Sequence, residues 1–167
     1  MFLVRIARKL LLPSAAATEP SGTQFGAIPY RIVDGHVVFL MITSRRSANW
    51  VFPKGSAMKG LTPWETAAEE AFEEAGVRGE IEPEPVGSYL HPRNDDPSGL
   101  VRIELYPLLV TEQLDDWREE PQRFRHWALL PQVRRLLASK EAARVASDLH
   151  RRIVVSSYPP GSSRISA

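Results

Sequence analysis

The spacing of apolar positions changes period several times along the chain, and each change marks an element. Two β-rich runs, QFGAIPYRIV and HVVFLMITS, flank Asp34-Gly35, a dipeptide suited to the positive φ of a two-residue hairpin turn. They predict an antiparallel pair. NWVFPKG adds a short strand stopped by Pro53, after which the period shifts from two towards 3.6. The helix that follows is the best specified element. Thr62, Pro63 and Glu65 fall at N-cap, N1 and N3 as a capping box, and Gly76 stands at C′. Between them Trp64, Ala67, Ala68, Ala71, Phe72 and Ala75 trace an apolar stripe, with Glu69, Glu70, Glu73 and Glu74 off it.

Further on, VRGEIEPEPVGSYLH and LVRIELYPLLVTE predict two strands joined by the polar loop PRNDDPSG. Residues 112–121 read as a charge-rich loop, RFRHWALL as a strand, and Pro131 opens a helix through about Ser139, with a second helical stretch over 140–152. The order βββ-α-ββ-β-α-α points to an α+β class, an α/β/α sandwich on a mixed sheet. At roughly 150 residues per domain, 167 residues make one core. The Pro- and Ser-containing stretch after Pro13 sets the boundaries: 1–22 an N-terminal arm and linker, 23–155 the domain, 156–167 a tail.

Composition narrows the chemistry. Lys+Arg of 21 against Asp+Glu of 20 leaves a net charge of +1, so no global field calls for a nucleic acid or a membrane surface. The absence of cysteine excludes disulfides, a thiolate zinc site and a cysteine nucleophile, and it fits a reducing, cytoplasmic location. Any metal must sit on oxygen or imidazole. No apolar run reaches the roughly 18 residues of a membrane span. The opening MFLVRIARKLLLPSAAATEP is basic and apolar, but Arg5, Arg8 and Lys9 interrupt it and Pro13 ends it. That pattern suits an arm packed on the domain better than a secretion signal.

The acidic face of the first helix carries the main chemical signal. Glu70, Glu73 and Glu74 stand at i, i+3 and i+4, so their carboxylates share one face, and each repelling pair costs roughly 0.2–0.5 kcal/mol. Such a face fits a solvated surface, or a hard cation such as Mg²⁺ or Mn²⁺ that keeps waters and completes its shell with phosphate oxygens. The preceding loop tips the balance. Lys54, Gly55, Lys59 and Gly60 put positive charge and tight turns beside a helix N-terminus, the polarity that a metal-bridged polyphosphate requires.

GSAMKGLTPWETAAEEAFEEAGV, residues 55–77, resembles the Nudix box, G-x5-E-x7-R-E-U-x-E-E-x-G-U with U a bulky apolar residue; Gly55, Glu70, Glu73, Glu74, Gly76 and Val77 match in register. The resemblance implies that family's α/β/α sandwich and the hydrolysis of a phosphoanhydride in a phosphorylated small molecule. It implies Glu70, Glu73 and Glu74 as ligands of Mg²⁺ or Mn²⁺, with Glu73 or Glu74 also catalytic. Leu61 replaces the first box Glu, Glu69 the box Arg, and Ala71 the bulky position. Loss of such outer partners weakens metal affinity or activity by about 10–100-fold. Three outcomes stay open: Arg78 or another cation restores the pairing, the enzyme is slower, or the fold binds its ligand as a regulator without turnover.

Beyond the box, GAIPYRI, ITSRRSANWVFPKG and LLVTEQLDDWREEPQRFRHWALLP resemble the Nudix branch acting on diphosphoinositol and diadenosine polyphosphates. That likeness implies Ser44 and Arg45 as phosphate contacts, with Arg31, Arg46, Lys54 and Gly55 as further substrate-binding positions; guanidinium forks suit dense phosphate. Trp50, Trp64 and Trp127 read as packing residues. His91 and His126, without a metal-binding partner at meaningful spacing, read as structural or surface residues.

Overall fold

The computed structural model describes residues 20–93, 95 and 99–157. Most of the expected arm, the last ten residues of the expected tail and part of the PRNDDPSG loop lie outside them. Strands β1 (Thr23–Val33) and β2 (His36–Thr43) form the expected hairpin, with Val33 opposite His36. Asp34 and Gly35 take φ of 50° and 78°, the pair of left-handed residues that such a turn needs. β1 also lies parallel to β7 (Leu100–Gln113), from Thr23 opposite Arg102 to Tyr30 opposite Leu109. This parallel pairing among antiparallel ones makes the sheet mixed.

Pro53 divides the expected third strand into β3 (Trp50–Val51), paired with β2, and β4 (Lys54–Ser56), paired with β1. A proline cannot donate to a ladder. The expected fourth strand divides as well. β5 (Val77–Ile81) and β6 (Gly87–Pro92) pair with successive halves of β7, interrupted at the proline-containing segment 82–86. β8 (Arg125–Leu129) adds to β2.

Helix α1 (Pro63–Ala75) has the expected caps. Thr62 Oγ1 accepts from the Glu65 N–H at 3.3 Å, Glu65 Oε2 accepts from the Thr62 N–H at 2.8 Å, and Gly76 sits at φ 63°. α2 (Leu130–Leu136) and α3 (Lys140–Ser157) cover the opposite face. α3 outruns the expected end at 152. Ser156 and Ser157 stay helical, their hydroxyls bonded to the carbonyls of Arg152 and Ile153. Alternation along the strands sorts the core: Phe39, Met41, Ile103 and Leu105 face α3, while Leu40, Ile42, Tyr106 and Leu108 face α1.

Candidate active site

The last turns of α1 meet the loop around Pro53. Alanines at 67, 71 and 75, all fully buried, seat the helix close on β1, so carboxylates on its flank reach the backbone of β4. Glu74 Oε2 accepts from the Lys54 N–H at 3.0 Å. A methyl group on Gly55 would coincide with the Glu70 carboxylate, so the box glycine is the space in which that carboxylate lies.

Into one cleft beside Glu74 the fold brings Ser44, Arg45, Arg46 and Lys54, together with Tyr89 and His91 of β6 and Ser139 at the α2–α3 junction. Ser44 belongs to a tight turn: its Oγ accepts from the Ser47 N–H at 3.2 Å, and Ala48 is held at φ 54°, a conformation that costs a non-glycine residue about 1–2 kcal/mol. Arg45 is tethered by Glu119 and Gln122, each at 3.4 Å. Burial holds Lys54 below the ordinary ammonium range, against the pull of Glu74.

Arg31 stands apart. Its guanidinium stacks over Trp127 at 4.8 Å from the ring centre, and it does not line the cleft. Arg78, one of the cations that could restore the box pairing, instead stacks on Phe72 at 3.9 Å. Leu61 and Glu69 meet in a separate apolar notch with Ala68, Phe72 and Ile81. His91, read from the sequence as structural or surface, lines the cleft, where burial and Lys54 depress its pKa.

Sequence reasoning missed two arginines between β7 and β8: it reads 112–121 as a charged loop and Arg123 as the start of a strand that begins at Arg125. Arg123, 8% exposed, donates to Glu74 Oε1, to Glu119 Oε2 at 2.5 Å and to the Thr43 carbonyl at 2.9 Å. Arg118 donates to Glu73 Oε1. The available signal was a box without its arginine beside a downstream run, WREEPQR, carrying two of them.

Burial, then Glu74, Glu73 and Glu119, push the Glu70 carboxyl up to about 7. Burial likewise raises Glu74, against the pull of Arg123. Among the described residues no three acidic or imidazole groups converge as a finished cage. The oxygen donors of Glu70 and Glu74, crowded and only partly neutralised, fit a hard cation, which typically uses one or two protein carboxylates and keeps several waters.

The chain matches the model of the NUDIX domain over residues 23–149. It belongs to the NUDIX domain family. It is 37% identical to Nudix hydrolase 16, mitochondrial, of Arabidopsis thaliana, in an alignment covering 65% of this chain and 68% of that one. It is 35% identical to human diphosphoinositol polyphosphate phosphohydrolase 3-alpha, covering 54% and 53%. The chain spans only 59–63% of the length of three further Arabidopsis Nudix hydrolases. Among solved structures, a Caenorhabditis elegans Ap4A hydrolase binary complex aligns with a TM-score of 0.64 at 20% identity, over 78% of this chain and 96% of that one. The NUDIX domain of Shewanella oneidensis NrtR complexed with ADP ribose gives 0.64 at 14% identity, over 84% and 93%. These structures establish the Nudix α+β architecture for this NUDIX domain. No described helix is long and apolar enough to cross a membrane.

Proposed function

We propose that this NUDIX domain is a pyrophosphohydrolase that cleaves a phosphoanhydride bond in a nucleoside- or inositol-type diphosphate or polyphosphate, with Mg²⁺ or Mn²⁺. The observation that carries the reading is the single cleft in which Ser44, Arg45, Arg46 and Lys54 face the Glu74 carboxylate. Phosphate oxygens fit the Arg45 and Arg46 forks and the Ser44 hydroxyl, while Lys54 offsets charge gathering on the bridging oxygen. Glu70, Glu73 and Glu74 would hold the divalent cation, which would polarise the phosphoryl group and lower the pKa of water. Glu73 or Glu74 takes the proton from the attacking water as a P–O bond forms. The P–O bond to the bridging oxygen breaks, and the second phosphate leaves with the electron pair.

One observation favours a second reading, a polyphosphate-binding regulator with little turnover: Glu73 and Glu74 each already bond an arginine. Phosphate release from a polyphosphate panel with Mn²⁺ separates the two. The wild type releases phosphate and the Glu73→Ala/Glu74→Ala variant does not. Equal signals from both remove the enzymatic reading. For location, the lack of cysteine supports the cytoplasm, while the relative Nudix hydrolase 16 is named mitochondrial; fractionation of the tagged protein tells them apart.

A further inference from the structure

The segment between β7 and β8, with the first residue of β8, closes over the last turn of α1. The Trp117 indole N–H donates to the Glu74 carbonyl at 3.2 Å, Arg125 to the Ala75 carbonyl at 3.0 Å, and the Leu114 N–H to the Gly76 carbonyl at 2.9 Å. α1 has no basic residue in its last turn, so its end carbonyls, which lack partners within the helix, are satisfied from outside. The same segment sends Arg118 to Glu73 and Arg123 to Glu74.

Position 69 lies one turn before Glu73, the i, i+4 spacing at which side chains on a helix meet. Here it is an exposed glutamate in the outer notch with Leu61. An acid there cannot hold Glu73. We infer that Arg123, assisted by Arg118, is the positioning residue that fixes the carboxylates of Glu74 and Glu73 for a divalent cation, in place of the arginine that the helix lacks. This inference rests on the functional reading above.

The geometry of Arg123 suits that task. Its planar fork is anchored at Glu74, at Glu119 and at the Thr43 carbonyl of β2, so it ties the helix to the sheet. Glu74 is then bonded at both oxygens, by Arg123 and by the Lys54 N–H, and each oxygen keeps a lone pair for a further partner. Lysine offers a point charge without the fork. Arg118 is 70% exposed, and its hold on Glu73 is correspondingly weaker.

Calorimetric titration of the full chain with Mn²⁺ alone tests the inference, with thermal melting beside it. Arg123→Gln should weaken Mn²⁺ binding by about 10–100-fold, and Arg123→Lys should recover only part of the loss. Arg118→Gln should weaken it about two- to threefold, as an exposed pair does. Raising Mn²⁺ should restore kcat in Arg123→Gln, a rescue that a general loss of structure would not produce. Because Arg123 is buried, Arg123→Lys is also the companion variant: it keeps the buried charge and loses the fork, and its partial loss of Mn²⁺ affinity decides the matter if Arg123→Gln does not fold. Wild-type affinity, or tighter binding, in the folded variants overturns the inference and makes Arg123 a competitor of the cation. A wild type that binds no Mn²⁺ overturns the functional reading itself.

Discussion

The helices on the two faces of the sheet bring different side chains to it. α2 and α3 bury Val133, Val145 and Leu149 beside the small Ala142, Ala143 and Ala146. The buried apolar residues of α1 are Ala67, Ala71 and Ala75 alone. Large side chains hold a helix off the sheet and stabilise by the area they bury. Small ones let the backbones approach, and the gain is reach. Glu70 and Glu74 touch the Lys54–Gly55 backbone because α1 sits low. Gly26 serves the same approach from below: a methyl there would lie 2.8 Å from the Pro53 carbonyl and from the Lys54 Cβ. One face is built for stability and the other for the position of carboxylates.

The sharpest break of that contrast is on the α3 face. Leu149→Ala removes a fully buried side chain from the larger cluster and should cost about 2–5 kcal/mol. Urea denaturation reads the loss. Mn²⁺ affinity of the folded variant should equal that of the wild type, and a fall in affinity matching the loss of stability would erase the division between faces. Next comes Ala71→Leu on the other face, also at a fully buried position. Overpacking should cost about 1–3 kcal/mol. Here Mn²⁺ binding should weaken too, because the helix is pushed away from Lys54. Unchanged affinity would show that the low seat of α1 does not matter to the site.

A smaller effect is expected where α1 begins. Thr62→Ala breaks a capping box whose two reciprocal bonds both form, and should cost about 1 kcal/mol. The cap lies at the end of the helix remote from Glu73 and Glu74, so metal affinity should stay within about twofold, roughly the 0.4 kcal/mol of an exposed contact. A larger drop would mean that fraying of the first turn reaches the carboxylates.

This division also explains what the sequence could reveal. The hairpin at Asp34-Gly35, the caps at Thr62 and Gly76 and the box glutamates were legible because each rests on residues adjacent in the chain. Where Pro53 and the segment 82–86 split strands, the apolar pattern ran through and hid the break. Arg123 was invisible for a different reason. It lies 49 residues from Glu74, and no local period records a contact made only when β7 and β8 bring the segment back over α1. His91 entered the cleft through the same long-range pairing, on β6 against β7. Arg31 shows the converse: its phosphate-suited side chain lies over an aromatic neighbour, Trp127, outside the cleft.

The finest test asks whether the α1 face is held back by its own charge. In the folded protein without metal, Glu70 titrates near 7 rather than at its ordinary 4.5, raised by burial first and by Glu74, Glu73 and Glu119 after it. The folded state therefore binds more protons than the unfolded state between those values. The stabilising contribution is fully present below about pH 4.5 and is lost as pH rises through about 7. Glu70→Gln removes the charge and keeps the shape. At pH 5, where most of the wild-type carboxyl is already protonated, the two proteins should melt together in the presence of a chelator. At pH 8 the variant should melt higher, by no more than a few degrees because the group is partly open to solvent. If Glu70 is a ligand as proposed, adding Mn²⁺ at pH 8 should reverse the order, since only the wild type keeps that carboxylate. A melting difference that ignores pH would mean that Glu70 feels neither its burial nor its neighbours. The α1 face would then be an ordinary solvated surface, and its contrast with the α3 face one of side-chain size alone.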